Sequence, residues 1–560
     1  MSLPARRLLP YATVCAVVTA TFARCLSAAP IWDDEYLTTR NPHLASWKGV
    51  WLLLTTDIWS SSVLQERSGY YRPVAALSYA LNRLLTGNSS ASYHAWNVAL
   101  HAAVAVLLMH FILSRRIARV ARSLPVVLLF ATMPLVAEPV SWIAGRYDLV
   151  GALFTLVALA ANRGRSRRWA SPLAFACAIL SKEPYAVGAG LVVLDDVMTL
   201  RRGPLAETPK YAGLASVAAL SFFLRHLADV PPATRLLQQG GPMVLLRAYA
   251  FAWQKLGALA VHPVDLCFFH TYVEPGALTT VLVSLAVAMV IAWAVWSWRR
   301  SPTQVSRGGI ALGVIWCAVA MLPGALTAPT LRIIGDRYAY FPLLGASIAL
   351  AAVLERMATR SPLLRLAPLV ILTLAALQVG RLESRLDELQ SPDAMFAATL
   401  ARDPDNFTTL SLWGNTLARR GDYERAEVVF EHGRRVAPLT GDFDTGLAFV
   451  HLREHRYALA EDDSRRAVSA NPNNPRSWLN LASALVDQRK SEEALRAADT
   501  ALRVRPHYAE AHYVRAIALV QLGRLEEART DLRSALEIDP THAAARELLT
   551  RLDASQARPR

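Results

Sequence analysis

The chain divides near Gly380 into a half with recurring long apolar runs and a remainder in which charged residues alternate with Ala and Leu at helical spacing. A helix needs roughly 20 apolar residues to cross a bilayer. Runs of this kind, several of them short, lie at 9–28, 95–114, 123–141, 148–163, 168–181, 184–200, 209–227, 279–297, 309–328, 340–357 and 362–380. The pattern predicts an all-α fold that begins with a polytopic membrane domain of about eleven helices, residues 1–382.

The stretch 243–262 is also apolar, but it carries Arg247 and Lys255. A helix with charges on one side is expected to lie in the membrane interface rather than to cross it. Near the N-terminus, Arg6 and Arg7 precede an apolar run that ends in small residues, which fits either a first anchor helix or a cleaved signal peptide. In both cases the loop that follows is expected to be exported.

Arginine clusters in the loops set the expected orientation, because basic residues remain in the cytoplasm. With about eleven crossings, all the clusters fall on one side: Arg6/Arg7, Arg115/Arg116/Arg119/Arg122, Arg163/Arg165/Arg167/Arg168, Arg201/Arg202, Arg299/Arg300 and Arg356/Arg360. The loops that carry carboxylates and the C-terminal domain fall on the extracytoplasmic side. The Arg- and Ala-rich composition indicates a bacterial inner membrane, with the C-terminal domain in the periplasm.

The last third of the chain repeats with a period of 34 residues. Pro438, Pro472, Pro506 and Pro540 follow one another at this spacing, one period after Pro404. Small residues keep the same register: Gly414, Ala448, Ala482 and Ala516, and again Ala426, Ala460, Ala494 and Ala528. A 34-residue period with helical patterning is typical of tetratricopeptide (TPR) repeats. We expect a linker or capping helix at 383–402 and about four repeats at 403–560, which stack into an α-solenoid that binds a protein or peptide.

Composition removes several other classes of function. The formal net charge of +15 resides in arginines of short membrane loops, so it does not indicate a nucleic-acid partner. The five cysteines lie in or beside apolar segments without a C-x-x-C pair, which argues against disulfides and a zinc site. No cofactor is indicated, although the carboxylates leave a divalent metal ion open.

Charged groups beside membrane helices are costly and usually serve function. The first exported loop opens with Asp33, Asp34 and Glu35, and adjacent carboxylates raise the pKa of at least one member. Such a group suits a general base toward a hydroxyl acceptor, whereas the alternative is a solvated run of loop charges. Basic residues in other external loops suit a phosphate or pyrophosphate group, or else form structural ion pairs.

These external motifs occur in a characteristic order: Asp33-Asp34, Tyr71-Arg72-Pro73, His94-x-x-Asn97, Glu138-x-x-x-Trp142-x-x-Gly145-Arg146-x-Asp148, Ser181-Lys182-Glu183 and Asp336-Arg337-Tyr338-x-Tyr340-x-Pro342. Together with the repeats, they resemble the transmembrane and TPR-containing O-mannosyltransferases and their bacterial relatives, which are GT-C class membrane glycosyltransferases. The resemblance covers nearly the whole chain. Two departures are Pro184-Tyr185 after Lys182-Glu183, and the third acid, Glu35.

The resemblance implies transfer of a sugar, such as mannose, from a polyprenyl-phosphate donor to an extracytoplasmic acceptor, here a protein Ser or Thr hydroxyl. It implies Asp33 or Asp34 as the base, with Asp34 preferred. The implied ligands of the donor phosphate are Arg72, Arg146, Lys182 and Arg337. The implied positioning residues are Glu35, Tyr71, His94, Asn97, Glu138, Asp148, Glu183, Asp336 and Tyr338.

Two alternatives of other classes stay open. In the first, the helices only anchor a TPR scaffold that assembles an envelope complex. In the second, the membrane domain transports a lipid-linked sugar, but the charged residues gather on one face of the membrane rather than midway across it.

Overall fold

The computed structural model describes residues 3–58, 69–162, 169–200, 204–228, 235–300, 305–359 and 363–556. The chain forms two compact units, Met1–Arg402 and Asp403–Arg560. Both are built from α-helices, which confirms the predicted all-α class; in the described ranges one short antiparallel pair occurs, β1 (His270–Thr271) with β2 (Ile333–Ile334). The arginines at 163, 165, 167, 168, 201, 202 and 360 lie outside the described residues.

The first unit contains eighteen of the α-helices in the described residues. They are α1 (Leu3–Phe22), α2 (Asp34–Leu37), α3 (Trp47–Thr55), α4 (Pro73–Thr86), α5 (Ser90–Ser114), α6 (Val120–Ala131), α7 (Ala137–Ser141), α8 (Arg146–Ala161), α9 (Ala170–Ile179), α10 (Gly188–Met198), α11 (Thr208–Leu227), α12 (Arg235–Val261), α13 (Ala277–Arg300), α14 (Val305–Ala320), α15 (Leu322–Leu331), α16 (Tyr340–Ala358), α17 (Ala367–Glu388) and α18 (Pro392–Arg402).

Seven helical segments among the described residues are long and apolar enough to cross a membrane. They are Leu8–Ser27, Ser90–Ser114, Ile143–Ala161, Ala277–Arg300, Val305–Pro329, Asp336–Ala358 and Leu364–Glu388. An eighth is added if α6 and the segment Pro134–Ser141, which meet at a bend of 55°, form one broken span. The number of about eleven crossings therefore stays a prediction.

The difference between the two counts comes from the middle of the membrane half. Here the predicted span at 209–227 forms α11, which is not among these segments, and the apolar runs at 168–181 and 184–200 form helices of only 10 and 11 residues, α9 and α10. At a rise of about 1.5 Å per residue these helices are too short to span the hydrocarbon core alone. The run at 243–262 lies in α12, which is bent at Gly241, where φ is 61°.

A buried polar network closes one end of this bundle. Arg115, directly after α5, donates hydrogen bonds to both carboxylate oxygens of Asp195 on α10 (3.1 and 2.7 Å). Asn162 bridges Asp195 and Asp196, and Lys210 on α11 forms an ion pair with Asp196. Arg115 lies in the turn after α5, and its charge is buried and compensated, as a charge in a bundle interior must be.

The second unit pairs its helices in sequence. The helices are α19 (Phe407–Arg420), α20 (Tyr423–Val436), α21 (Asp442–Arg453), α22 (Tyr457–Ala470), α23 (Pro475–Asp487), α24 (Ser491–Val504), α25 (Ala509–Gln521), α26 (Leu525–Ile538) and α27 (Ala543–Gln556). The alanines at 426, 448, 460, 482, 494, 516 and 528 have no exposed surface, so the small residues of the 34-residue period lie where helices approach each other. Each period-forming proline from 438 to 540 follows the end of a second helix by two residues.

Candidate active site

Asp33 and Asp34 lie in the segment after α1, directly after Trp32, a non-glycine residue in the left-handed region (φ 53°). Its indole stacks on that of Trp142, with ring centroids 5.6 Å apart and an interplanar angle of 16°. The Trp142 indole nitrogen in turn donates a hydrogen bond of 3.2 Å to Oδ1 of Asp33. Oδ2 of Asp33 accepts no hydrogen bond from any residue that the structure describes.

Asp34 has a different environment, although it is the next residue. Its side chain is fully buried, and its oxygens accept hydrogen bonds from the backbone amides of Ile31 and Ala144, both at 2.9 Å, and Ile143 at 3.4 Å. The carboxylate therefore joins the first loop to the turn before α8. Both oxygens of the Asp34 carboxylate accept hydrogen bonds from backbone amides.

Burial affects the pKa of both acids. Loss of hydration raises the pKa of Asp33 to about 7, against the opposing effects of the Trp142 hydrogen bond and the nearby Arg337 and Arg72. Burial, followed by repulsion from Asp33, raises the pKa of Asp34 well above its ordinary value. Glu35, the third acid of the run, has a half-exposed side chain and forms an ion pair of 3.0 Å with the exposed Arg40.

The guanidinium of Arg146 is fully buried, and its nitrogens donate hydrogen bonds to groups of the protein itself. Nε donates to Oδ1 of Asn97 (2.8 Å), and Nη2 donates to Oδ1 of Asn82 (2.9 Å) and the carbonyl of Tyr93 (2.8 Å). Nη1 donates to the carbonyl of Ser78 (3.3 Å). A phosphate would have to displace these partners, so the contacts are those of a structural arginine.

Asn97 connects Arg146 to the turn that carries Trp142. Its amide nitrogen donates to the carbonyls of Val140 (3.3 Å), Trp142 (3.0 Å) and Ile143 (3.3 Å). His94, one turn earlier on α5, is buried, and neither ring nitrogen has a hydrogen-bond partner among the described residues. Asn97 thus holds the backbone whose amides bind Asp34.

Three basic side chains of the predicted set lie around the aromatic rings of this region, each beside a carboxylate. Arg337 pairs with the buried Glu138, which also accepts the backbone amide of Arg337 (3.1 Å). Lys182 donates to both oxygens of Asp148 at 2.8 Å. The first contact joins α7 to the turn before α16, and the second joins the start of α8 to the turn after α9.

The third basic residue, Arg72, precedes α4 and donates from Nε and Nη2 to Glu183 at 3.2 and 3.1 Å. Glu183 also accepts a hydrogen bond of 3.1 Å from Arg225 at the end of α11. Tyr71, predicted to position substrate, instead donates its hydroxyl to the carbonyl of Leu54 at 2.9 Å. It therefore holds the loop before α4 in place.

Aromatic rings join these charged pairs into one cluster. The guanidinium of Arg337 lies 5.2 Å from the Trp142 ring centroid and 5.3 Å from that of Tyr338. Tyr338 is also 5.4 Å from Nζ of Lys182, and Arg72 lies 4.8 Å from the ring of Tyr147. Cation–π contacts of this kind hold a cation in place without using its N–H donors.

Some N–H donors of the cluster have no hydrogen-bond partner among the residues that the structure describes. Nε and Nη2 of Arg337, and Nη1 of Arg72, make no hydrogen bond with a residue that the structure describes. Lys182, by contrast, is held by both oxygens of Asp148. The N–H edges of two arginines and the Oδ2 atom of Asp33 are therefore polar atoms of this region that lack a partner in the described residues.

Several residues of this arrangement were not predicted. Trp142 and Tyr147 stand inside a motif that was read for its charged members, and the aromatic pair Phe268-Phe269 packs around Trp32 and Arg337. An aromatic run between two apolar segments was the available signal. In the described part of the chain, no group of three or more His, Cys, Asp or Glu side chains is placed to hold a metal ion.

The fold and the comparisons with known proteins indicate the same class of protein. Residues 411–475 and 479–557 match the tetratricopeptide repeat family model, which confirms the predicted array. The apolar helices of the first unit, with this array, make the chain an integral membrane protein with a TPR domain. The first TPR domain of human RPAP3 is a solved structure that is 26% identical and covers 22% of this chain and 95% of its own, with a TM-score of 0.21.

Curated relatives extend the similarity to the membrane half. The chain is 22% identical over 601 residues to the mouse protein O-mannosyl-transferase TMTC3, which covers 95% of this chain. It is 31% identical over 145 residues to human TMTC1, which covers 25% of this chain and 16% of that relative. The predicted resemblance to TPR-containing O-mannosyltransferases is thereby confirmed. The chain spans 64% of the length of mouse TMTC3.

Proposed function

We propose that the protein is a membrane glycosyltransferase that moves a sugar from a polyprenyl-phosphate donor to a hydroxyl of a protein acceptor. The names of its relatives favour mannose as the sugar and a protein oxygen as the acceptor, for which we propose the hydroxyl of Ser or Thr. The observation that carries the proposal is the placement of one buried carboxylate, Asp33, beside arginines with unused donors, Arg72 and Arg337.

Asp33 is the better base of the acid pair. Its Oδ2 is open to a ligand, and a pKa of about 7 suits a group that must accept a proton near neutral pH. Asp34, which the sequence favoured, has both oxygens directed at backbone amides. We therefore assign Asp34 to holding the loop in place and Asp33 to the acceptor.

The reaction follows from these roles. Asp33 takes the proton of the acceptor hydroxyl while that oxygen forms a bond to the anomeric carbon of the sugar. The bond between the anomeric carbon and the phosphate oxygen breaks, and its electron pair leaves with the lipid phosphate. Arg337 and Arg72 stabilise the charge that develops on this phosphate, as preorganised donors do in a site shielded from water. Attack from the face opposite the phosphate inverts the anomeric centre.

The remaining predicted residues support this centre. Glu138, Asp148 and Glu183 hold the three basic side chains, and Tyr338 lies between Lys182 and Arg337. Arg146 and Asn97 act through the backbone of the turn at 140–143 rather than on the phosphate. We place the site and the TPR array on the extracytoplasmic side of the inner membrane, where the array binds the acceptor or a partner protein.

The test is sugar transfer by the purified full-length chain in lipid nanodiscs, with labelled polyprenyl-phosphate mannose and an unfolded periplasmic protein extract. We expect transfer by the wild type and a loss of at least about 100-fold in Asp33→Asn, the range for a lost general base. Glu35→Gln is the matched control, because Glu35 is two residues away and pairs with the exposed Arg40. A transfer rate in Asp33→Asn equal to that of the wild type would reject Asp33 as the base. Absence of transfer by the wild type favours the scaffold alternative.

A further inference from the structure

A further buried ion-pair network contacts Asp336, the residue before Arg337. It includes Arg385 on α17, the last of the described helices that are long enough to cross the membrane. Arg385 of α17 has only 2% of its side chain exposed. Its Nη2 donates to Asp336 at 3.1 Å, and its Nη1 donates to Glu388 at 2.6 Å. A guanidinium that bridges two carboxylates in a buried place fixes both in orientation.

Asp336 is itself held from several directions. Oδ1 contacts Nε2 of His270 at 2.8 Å, and Oδ2 accepts the backbone amide of Cys267 at 2.8 Å in addition to the Arg385 bond. Asp336 therefore fixes the loop after α12 against the start of α16. The next residue is Arg337, whose backbone amide and side chain both contact Glu138.

The backbone next to Asp336 also determines where the side chain of Arg337 packs. A Cβ atom placed on Gly335 would lie 2.4 Å from Nη1 of Arg337, so the guanidinium packs directly over this glycine. A displacement of Asp336 would move both this surface and the backbone amide that Glu138 accepts. The position of Arg337 thus depends on the Asp336 carboxylate.

The same end of α17 contacts the segment that leads to the acid pair. The backbone amide of Ala29 donates a 2.9 Å hydrogen bond to the carbonyl of Gln390, directly after α17. The C-terminal end of this helix therefore touches both segments that carry the proposed chemistry. Arg385 is the charged, buried residue of that end.

We propose that Arg385 is a positioning residue of the glycosyltransferase site, which acts through Asp336 to place Arg337 against the donor phosphate. The inference rests on the proposed function. Among the described residues, Arg385 forms no hydrogen bond with Asp33, Arg72 or Arg337. Its effect on Arg337 therefore passes through Asp336 and through its electrostatic interaction with Glu138, the partner of Arg337.

The test compares Arg385→Gln with Arg381→Gln in the nanodisc transfer assay, since Arg381 lies one turn earlier on α17 and is exposed. We expect the KM for the lipid donor to rise about tenfold or more in Arg385→Gln, because small displacements of a positioning group cost this much. The KM for the protein acceptor should not change, and Arg381→Gln should match the wild type. A fall of kcat with both KM values unchanged indicates a smaller folded fraction and overturns the inference.

A double-variant cycle tests the route through Asp336. If Arg385 acts through that carboxylate, Arg385→Gln combined with Asp336→Asn should be no worse than the more impaired single variant. If the donor KM of the double variant rose by the product of the two single-variant factors, this result would contradict the route through Asp336. If Arg385→Gln does not fold, Arg385→Lys decides, because it keeps the buried charge but not the two-carboxylate bridge; a donor KM equal to the wild type overturns the inference. Absence of transfer in the wild type rejects the proposed function instead.

Discussion

The indole of Trp142 donates a hydrogen bond of 3.2 Å to Oδ1 of Asp33, and the same ring lies 5.2 Å from the guanidinium of Arg337. One side chain thus contacts both the proposed base and a proposed phosphate ligand. The turn that carries it is held by Asn97, through the carbonyl of Trp142 at 3.0 Å. The spacing between acid and cation is therefore determined by a rigid aromatic group.

The first prediction concerns the pH dependence of transfer. Asp33 must be deprotonated to accept a proton, and burial raises its pKa to about 7. We expect kcat/KM to rise about tenfold per pH unit below pH 7 and to level off above it, as for a single essential base. Initial rates from pH 5 to 9 measure this profile. A flat profile across this range would contradict the assignment of Asp33.

Trp142→Phe should alter this profile. The variant keeps an aromatic ring but loses the N–H that stabilises the charged form of Asp33. A hydrogen bond worth about 1 kcal/mol corresponds to a rise of roughly 0.7 in the pKa, so the midpoint should move to higher pH by this amount. Trp169→Phe, on an exposed indole, is the control. An unchanged midpoint would show that this hydrogen bond does not influence the base.

Asp34→Asn should impair the fold more than the chemistry. The amide nitrogen of asparagine is a donor, and it would face the backbone N–H of Ile31 or Ala144. A buried donor left without an acceptor costs about 1–3 kcal/mol. Thermal unfolding in detergent should therefore occur at a lower temperature in Asp34→Asn than in Asp33→Asn. A stable Asp34→Asn variant with no transfer would instead make Asp34 the base.

The first TPR repeat depends on a glycine that the other repeats do not share. A Cβ atom on Gly414 would lie 2.4 Å from the ring of Phe430, whereas alanine stands at the equivalent positions 448, 482 and 516. Gly414→Ala should destabilise α19 and α20 by about 1–3 kcal/mol through overpacking. Hydrogen exchange of these helices in the full-length protein measures the loss.

Phe430→Leu should restore protection in the Gly414→Ala background. It reproduces the pair found in the fourth repeat, where Leu532 occupies the position of Phe430 and Ala516 that of Gly414. No gain of protection from this second change would indicate that the ring contact is not the cause.

The stability of two neighbouring repeats is expected to depend on pH through His451, which contacts a carboxylate in each. Nδ1 contacts Asp463 at 2.6 Å and Nε2 contacts Glu427 at 3.1 Å. Burial lowers the pKa of His451, but the hydrogen bonds to the two carboxylates outweigh it and raise the pKa above its ordinary value. The stabilisation is complete below the unfolded-state pKa and is lost as pH rises through the folded-state pKa.

Exchange in α21 and α22 should therefore quicken beyond its ordinary pH dependence as the pH rises above about 6.5, the ordinary pKa of histidine, relative to α23 and α24, which contain no histidine. His451→Gln should abolish this additional change. Persistence of the change in the variant would assign it to another group.

The repeat array was predictable because a 34-residue period and its small residues follow from local helix packing. The long membrane helices were predictable for a similar reason, since their length is set by the bilayer. The short helices α9 and α10 were read as spans because an apolar run does not show where it breaks. Pro184, which departs from the family pattern, stands near the start of the turn between them.

The pairings within the site were not predictable. Glu138 and Arg337 lie 199 residues apart, and a single sequence gives no signal that joins them. Arg146 and Arg337 looked alike as basic residues of external turns. They differ because Asn97, Asn82 and backbone carbonyls occupy the donors of Arg146, whereas Nε and Nη2 of Arg337 have no partner in the described residues.

The left-handed backbone at Trp32 gives two neighbouring aspartates opposite surroundings. In a relative with a single acid here, alignment by acidity alone would leave its function ambiguous. An acid directly after the left-handed tryptophan would retain proton chemistry, whereas one shifted a residue later would retain only an anchored loop. If Asp33 is the base, as we propose, the register of this dipeptide distinguishes an active transferase from a folded but inert homologue.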